Sequence, residues 1–156
     1  MTALFFAIIG IIYERTHTRQ VNEMGGLMKV MPFTTTVLFI VGLCSLGLPG
    51  LSGFVAEMTI FMGSWENADM FHRVATIIAC MSIVVTAVYI LRAIGNVVMG
   101  PIKNEAFLQI KDAAWNEKLA AIILLAGILA IGIAPGWLND LIRPGAEIIM
   151  HKVSGK

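Results

Sequence analysis

The sequence predicts an all-α integral membrane protein with about four transmembrane segments, the first truncated and the second discontinuous. Three observations carry this reading. Of 156 residues, 58% are hydrophobic and 13% are charged, about half the charged fraction of a soluble domain. The apolar runs are long enough to be membrane segments, a full crossing of the hydrocarbon core taking about 20 residues. One of them, residues 31–64, holds a single charged side chain, Glu57, and is interrupted by Gly47, Pro49, Gly50 and Gly53.

The first element ends in the apolar stretch 3–13, which is too short to cross alone. No basic segment precedes it and no small-residue cleavage site follows, which argues against a signal peptide. It is expected to be the tail of a longer helix that begins upstream, with Met1 an internal start. A polar loop follows, Glu14-Arg15-Thr16-His17-Thr18-Arg19, closed by Gly25-Gly26.

The second element is the broken run. Pro49 has no N–H to donate, and its ring clashes with the preceding turn. Two halves are expected, residues 33–48 and 54–64, each about 16–24 Å long at ~1.5 Å per residue. Together they cross once, with the break near mid-depth. Two separate spans are disfavoured because each half is too short. Backbone groups freed at such a break persist in lipid only when packed in protein or lining a wet cavity.

Trp65, Glu66, Asn67, Asp69, His72 and Arg73 form the next loop, with Trp65 suited to an interfacial anchor. Residues 74–99 make the third segment. Its Thr76, Ser82 and Thr86 are of the kind that favours helix contact in lipid. Gly100-Pro101 ends it, and a mixed-charge loop, 103–118, carries Trp115. Residues 119–133 are the cleanest span, stopped by Pro135-Gly136-Trp137. The chain thus divides into transmembrane helices over 1–137 and a mildly amphipathic interfacial tail over 138–156, broken at Pro144-Gly145.

Alternating crossings collect Arg15, Arg19, Lys29, Arg92, Lys103, Lys111 and Lys118 on one side and Arg73, Arg143, Lys152 and Lys156 on the other. The positive-inside bias makes the first side cytoplasmic and sets the tail on the outer face. A net charge of +1 implies no nucleic-acid partner. Cys44 and Cys80 lack CxxC spacing and read as small apolar fillers. No metal cluster, catalytic triad, phosphate loop or flavin or nicotinamide fingerprint is present in the sequence. The ions at Glu14-Arg15 and Glu117-Lys118 read as ordinary boundary charges.

The candidate chemistry lies at Glu57. A carboxylate in mid-membrane costs about 2.5–3.5 kcal/mol on insertion scales. Desolvation disfavours its charged form and brings protonation toward neutral pH. Interrupted helices beside such a group point to ion sites; the bland alternative is an acid that hydrogen-bonds helices together. Arg92 reads equally as a buried counter-ion or as a side chain snorkelling to the headgroups. His17 reads as a solvated or subunit-contact residue; His72 and His151 fall near the interfaces.

The run Tyr13-Glu14-Arg15-Thr16-His17-Thr18-Arg19, then Met24-Gly25-Gly26-Leu27, Met31-Pro32, and Gly47-Leu48-Pro49-Gly50-Leu51-Ser52-Gly53-Phe54-Val55-Ala56-Glu57 resembles the antiporter-like M subunit of respiratory complex I, NADH:quinone oxidoreductase, the counterpart of mitochondrial subunit 4. The likeness is strong through Phe61, weaker over 74–99, and returns at Trp115-Asn116-Glu117-Lys118 and Pro135.

That resemblance implies fourteen helices in two inverted five-helix repeats, of which this chain holds the last four. It makes Glu57 the carboxylate at the outer end of a proton path, where sister subunits usually carry lysine. The glutamate and two lysines of the first repeat, and the histidines of earlier helices, have no counterpart here. NADH, FMN, iron–sulfur clusters and quinone are then expected on other subunits, with no redox site or cofactor on this chain. Neighbouring antiporter-like subunits are the implied partners, and a bacterial inner membrane the implied location. Two alternatives share the broken helix: a cation/proton antiporter subunit of the multisubunit Mrp type or a membrane arm of an energy-converting hydrogenase, and a purely structural membrane element.

Overall fold

A computed structural model describes residues 1–66 and 69–153, apart from the side chains of His151 and Val153. Asn67 and Lys156, and the His151 side chain, lie outside the described residues. The described elements are helical throughout: α1 (Thr2–Thr16), α2 (Pro32–Ser45), α3 (Ser52–Glu66), α4 (Met70–Val98), α5 (Trp115–Ile133) and α6 (Gly136–Val153), with 3-10 turns at Leu27–Lys29 and Glu105–Gln109. Two helices, α4 and α5, are long and apolar enough to cross a membrane unaided. At 14 and 15 residues, α2 and α3 are not.

α1 runs further than expected, through Thr16, because His17 adopts a left-handed conformation (φ 51°) and its N–H closes the last turn on the Tyr13 carbonyl. His17 itself is exposed. Leu4, Ile8 and Ile12 recur at helical spacing and pack with Val41 of α2 and with Ile94 and Val98 of α4. Gly42 lies so close to the Ile94 side chain that a Cβ would displace it. This close approach, allowed by a small residue, is how helices gain contact in lipid. Away from that core the bundle is apolar on its outside: Ile78, Met81, Val84, Val85 and Val88 of α4 are all exposed. Thr76 joins helices, its hydroxyl donating to Ser64 of α3 at 2.8 Å, whereas Ser82 and Thr86 bond back to carbonyls of their own helix.

The connections 17–31 and 99–114 meet at one end. The Gly26 N–H donates to the Met99 carbonyl (3.0 Å), and the Lys103 ammonium donates to the Asn22 carbonyl (2.9 Å). Met31, at the start of α2, has no side-chain oxygen to cap that helix. Its orphan donors are served from far along the chain. The Asp112 carboxylate accepts from the N–H groups of Phe33 (2.9 Å) and Thr34 (3.3 Å), the Thr34 hydroxyl (2.7 Å) and the Ala113 N–H (2.7 Å). A second tie runs from α1 to α5. Arg15 pairs with Glu117 at 2.5 Å and donates to the Lys111 and Ile11 carbonyls at 3.0 and 3.1 Å. Arg15 and Glu117 are therefore not the ordinary boundary charges the sequence suggests; they pair across 102 positions of chain.

Burial opposes ionisation of Asp112, but the Thr34 hydroxyl and then the Ala113, Phe33 and Thr34 N–H groups outweigh it and hold the carboxyl below the usual carboxylate range. A depressed carboxyl stabilises the fold above the unfolded-state pKa of about 3.9 and loses that contribution as pH falls below it. Asp112→Ala is therefore expected to destabilise the loop end by about 1–2 kcal/mol at neutral pH, the size of a lost helix cap. Thermal unfolding of the assembled protein should show that difference at pH 7 and a smaller one below about pH 4.

One sequence-based expectation is corrected. The tail does not break at Pro144: α6 is continuous through it. Proline removes one N–H and leaves one carbonyl, that of Asp140, without its partner, while Arg143 and Glu147 pair across the site at 3.0 Å. The break in the second element packs on Gly132, in the last turn of α5.

Candidate functional site

The site is built from the break. α2 ends at Ser45, and three backbone bonds unwind it: Leu46 to Leu43 (3.1 Å), Gly47 to Cys44 (3.2 Å) and Leu48 to Leu43 (3.4 Å). Pro49 has no N–H to carry the ladder on. The Leu51 N–H donates to the Leu48 carbonyl (3.2 Å), and α3 starts at Ser52.

Gly53 lies directly against the Cys44 carbonyl, and Cys44 Sγ is 3.7 Å from Ser52 Oγ. The first turn of α3 thus overlaps the end of α2, with residues 46–51 looped outward. Gly132 closes the outside of that loop, meeting the Gly50 carbonyl and Leu51 Cα so tightly that a Cβ there would collide with backbone.

Glu57 sits one turn into α3, and its carboxylate folds back onto Gly47. Gly47 has φ +64°, a left-handed conformation that costs an L-residue roughly 1–2 kcal/mol. A Cβ there would lie 2.9 Å from Glu57 Cδ and 3.3 Å from Oε1. Gly47 is thus doubly required, by its backbone angle and by the carboxylate resting on it. Gly47→Ala is expected to push the Glu57 side chain out of this position and to cost about 1–3 kcal/mol in fold stability. A thermal unfolding comparison with Gly127→Ala, whose added methyl would meet nothing within 4 Å, isolates the effect.

Within this chain Glu57 is half-buried, not enclosed as expected from the sequence. Arg92 is exposed on α4, and among the described ion pairs neither it nor Glu57 takes part. The structure thus puts Pro49, Gly50 and Gly53 in and beside the break, sets Glu57 against Gly47 at its edge, and leaves Arg92 outside the group. An apolar groove of about 600 Å³ between α1 and α4, lined by Phe5, Ile9, Leu38 and Val97, does not include Glu57. At its rim the Arg19 guanidinium stacks over Tyr13 at 4.7 Å. Among the described residues no three His, Cys, Asp or Glu side chains converge as metal ligands. Cys44 and Cys80 are both free, the first buried and the second exposed.

Sequence reasoning missed Asp112 and the Arg15–Glu117 tie. One signal for Asp112 was available: α2 opens Met31-Pro32-Phe33 with no local capping residue, so its orphan N–H groups needed an acceptor from elsewhere.

An apolar helical bundle with a helix parted beside a carboxylate defines the class: a transmembrane element with a discontinuous helix. The chain belongs to the family described as NADH:quinone oxidoreductase/Mrp antiporter, TM, which matches residues 1–83. Relatives include NAD(P)H-quinone oxidoreductase chain 4 1 of Synechococcus elongatus, 37% identical over 85% of this chain and 25% of its own length. NADH-quinone oxidoreductase subunit M of Rickettsia felis is 31% identical over 97% of this chain and 30% of its own. A chain of respiratory complex I from Thermus thermophilus superposes with a TM-score of 0.78 at 28% identity, covering 90% of this chain and 28% of that one. Within the family these likenesses identify the chain as an antiporter-like M subunit. It spans about a quarter to three-tenths of the length of these relatives.

Proposed function

We propose that this chain is the C-terminal part of a proton-translocating membrane subunit of NADH:quinone oxidoreductase, and that Glu57 is the terminal acid of its proton path. The observation that carries the reading is the placement of Glu57 on the parted backbone between α2 and α3. There the carboxylate lies against backbone loosened from its helical ladder, where a protonation change alters its hydrogen bonding at little structural cost. Relatives named as chain 4 or subunit M favour this reading over an Mrp antiporter or hydrogenase arm.

In this account α2 and α3 together make one broken crossing, and with α1, α4 and α5 four segments result. Quinone reduction elsewhere in the complex drives charge shifts along buried ionisable groups. Glu57 takes a proton from that row and releases it outward. The end of the bundle that carries Arg15, Arg19, Lys29, Lys103 and Lys111 faces the cytoplasm, and α6 lies on the outer side of the bacterial inner membrane. NADH, FMN, iron–sulfur clusters and quinone bind other subunits, and neighbouring antiporter-like subunits flank this one. Affinity purification from native membranes tests the assignment. Recovery of NADH dehydrogenase and quinone-reducing subunits is expected; recovery of sodium/proton antiporter subunits instead would overturn it.

A further inference from the structure

Cys44 reads from sequence as a small apolar filler, a part that alanine could take. In the structure its polar atoms meet both sides of the break. Cys44 is fully buried in the last turn of α2. Its carbonyl is one of those that a helix end leaves without a partner. The Gly47 N–H donates to it at 3.2 Å, which closes the turn whose left-handed glycine carries the Glu57 carboxylate. The Cα of Gly53 lies against the same carbonyl, so closely that a side chain there would collide with it. The Cys44 thiol faces the Ser52 hydroxyl at 3.7 Å, a sulfur–oxygen hydrogen bond in which either group can donate. Among the described hydrogen bonds Ser52 Oγ has no other partner. One residue of α2 thus seats the first turn of α3 and also closes the turn on which the acid rests.

Little else fixes the Glu57 carboxylate. Among the described residues it makes no hydrogen bond or ion pair, and it rests on Gly47. Its place is therefore set by where α3 begins. Ser52 and Glu57 lie on one continuous helix, which carries its side chains as a rigid set at ~1.5 Å of rise per residue. A shift of the first turn moves the acid with it. Without the thiol, the Ser52 hydroxyl turns to a carbonyl of its own segment, the usual recourse of serine in a helix, and the first turn of α3 loses its tie to α2.

We infer that Cys44 is a positioning residue for Glu57: its thiol, held to the Ser52 hydroxyl, seats α3 on the end of α2 and so sets the carboxylate on Gly47. The effect on translocation rests on the proton-path reading of Glu57; the placement does not. The test uses the assembled complex and the infrared band of the Glu57 carboxyl, isolated by subtracting the Glu57→Gln spectrum in each background. An acid-minus-alkaline difference reads that band without turnover. Cys44→Ala and Ser52→Ala are each expected to displace the band and to lower translocation per NADH several-fold. The double variant should do no more than either single one, because both remove the same contact. Cys80→Ala, which removes the exposed cysteine, should match the unsubstituted complex in both readings. An undisplaced band in Cys44→Ala or Ser52→Ala would overturn the inference, as would effects that add in the double variant. Displaced bands while Glu57→Gln translocates fully would keep the placement and remove Glu57 from the proton path. Undisplaced bands while Glu57→Gln fails to translocate would reject the placement alone. Should Cys44→Ala fail to assemble, Ser52→Ala, at a half-buried position, decides by the same band.

Discussion

Glu57→Gln in the assembled complex is expected to lower proton translocation at least about tenfold, a barrier increase of ~1.4 kcal/mol or more, with NADH dehydrogenation in the peripheral arm unchanged. Glutamine keeps the shape of the side chain and its contact with Gly47 but cannot bind and release a proton. Loss of translocation with intact assembly thus reports the titration of Glu57 and not its packing. Glu57→Asp keeps an ionisable group one methylene shorter and should restore part of the activity. Acidification of the outer compartment per NADH oxidised, measured in proteoliposomes, reads the effect. Full translocation by the glutamine variant would remove Glu57 from the path.

Arg15→Met should produce the largest loss of stability. The pair it breaks has side chains only 18% and 26% exposed. Removing one partner of a fully buried pair costs about 3–5 kcal/mol, mostly from stranding the other charge, whereas an exposed pair is worth about 0–1. Partial exposure puts the expected loss at about 2–3 kcal/mol. The Lys111 and Ile11 carbonyls lose their guanidinium donor in the same step. The double variant Arg15→Met/Glu117→Leu leaves no stranded carboxylate and should recover a substantial part of the loss. Protease resistance of the 17–31 loop and thermal unfolding of the complex measure both.

The elements that could be read from sequence are those fixed by local chemistry. Pro49 with Gly47, Gly50 and Gly53 stops a helix wherever it occurs, and the interruption between Ser45 and Ser52 lies where they do. The apolar spans of α4 and α5 follow from composition alone. What could not be read depends on residues far apart in the chain. Nothing near Asp112 announces that it caps a helix 78 and 79 positions earlier. Arg15 and Glu117 each look like a charge at a helix end until the fold brings them together. Pro144 misled in the other direction. A breaker in a buried helix is tolerated in an exposed, amphipathic one, where the freed carbonyl can reach water. Glu57 was found because a lone acid in an apolar run is conspicuous, but its resting place on Gly47 follows from the looped path of 46–51, which sequence does not specify.

The central claim concerns a proton that comes and goes at one side chain. Infrared difference spectroscopy of the complex during NADH-driven turnover, with the Glu57→Gln spectrum subtracted, isolates the carboxyl stretch of that group. The account predicts a band of protonated carboxyl that rises and decays with turnover and disappears in the variant. A Glu57 signal that stays constant while protons are translocated at the full rate would contradict it.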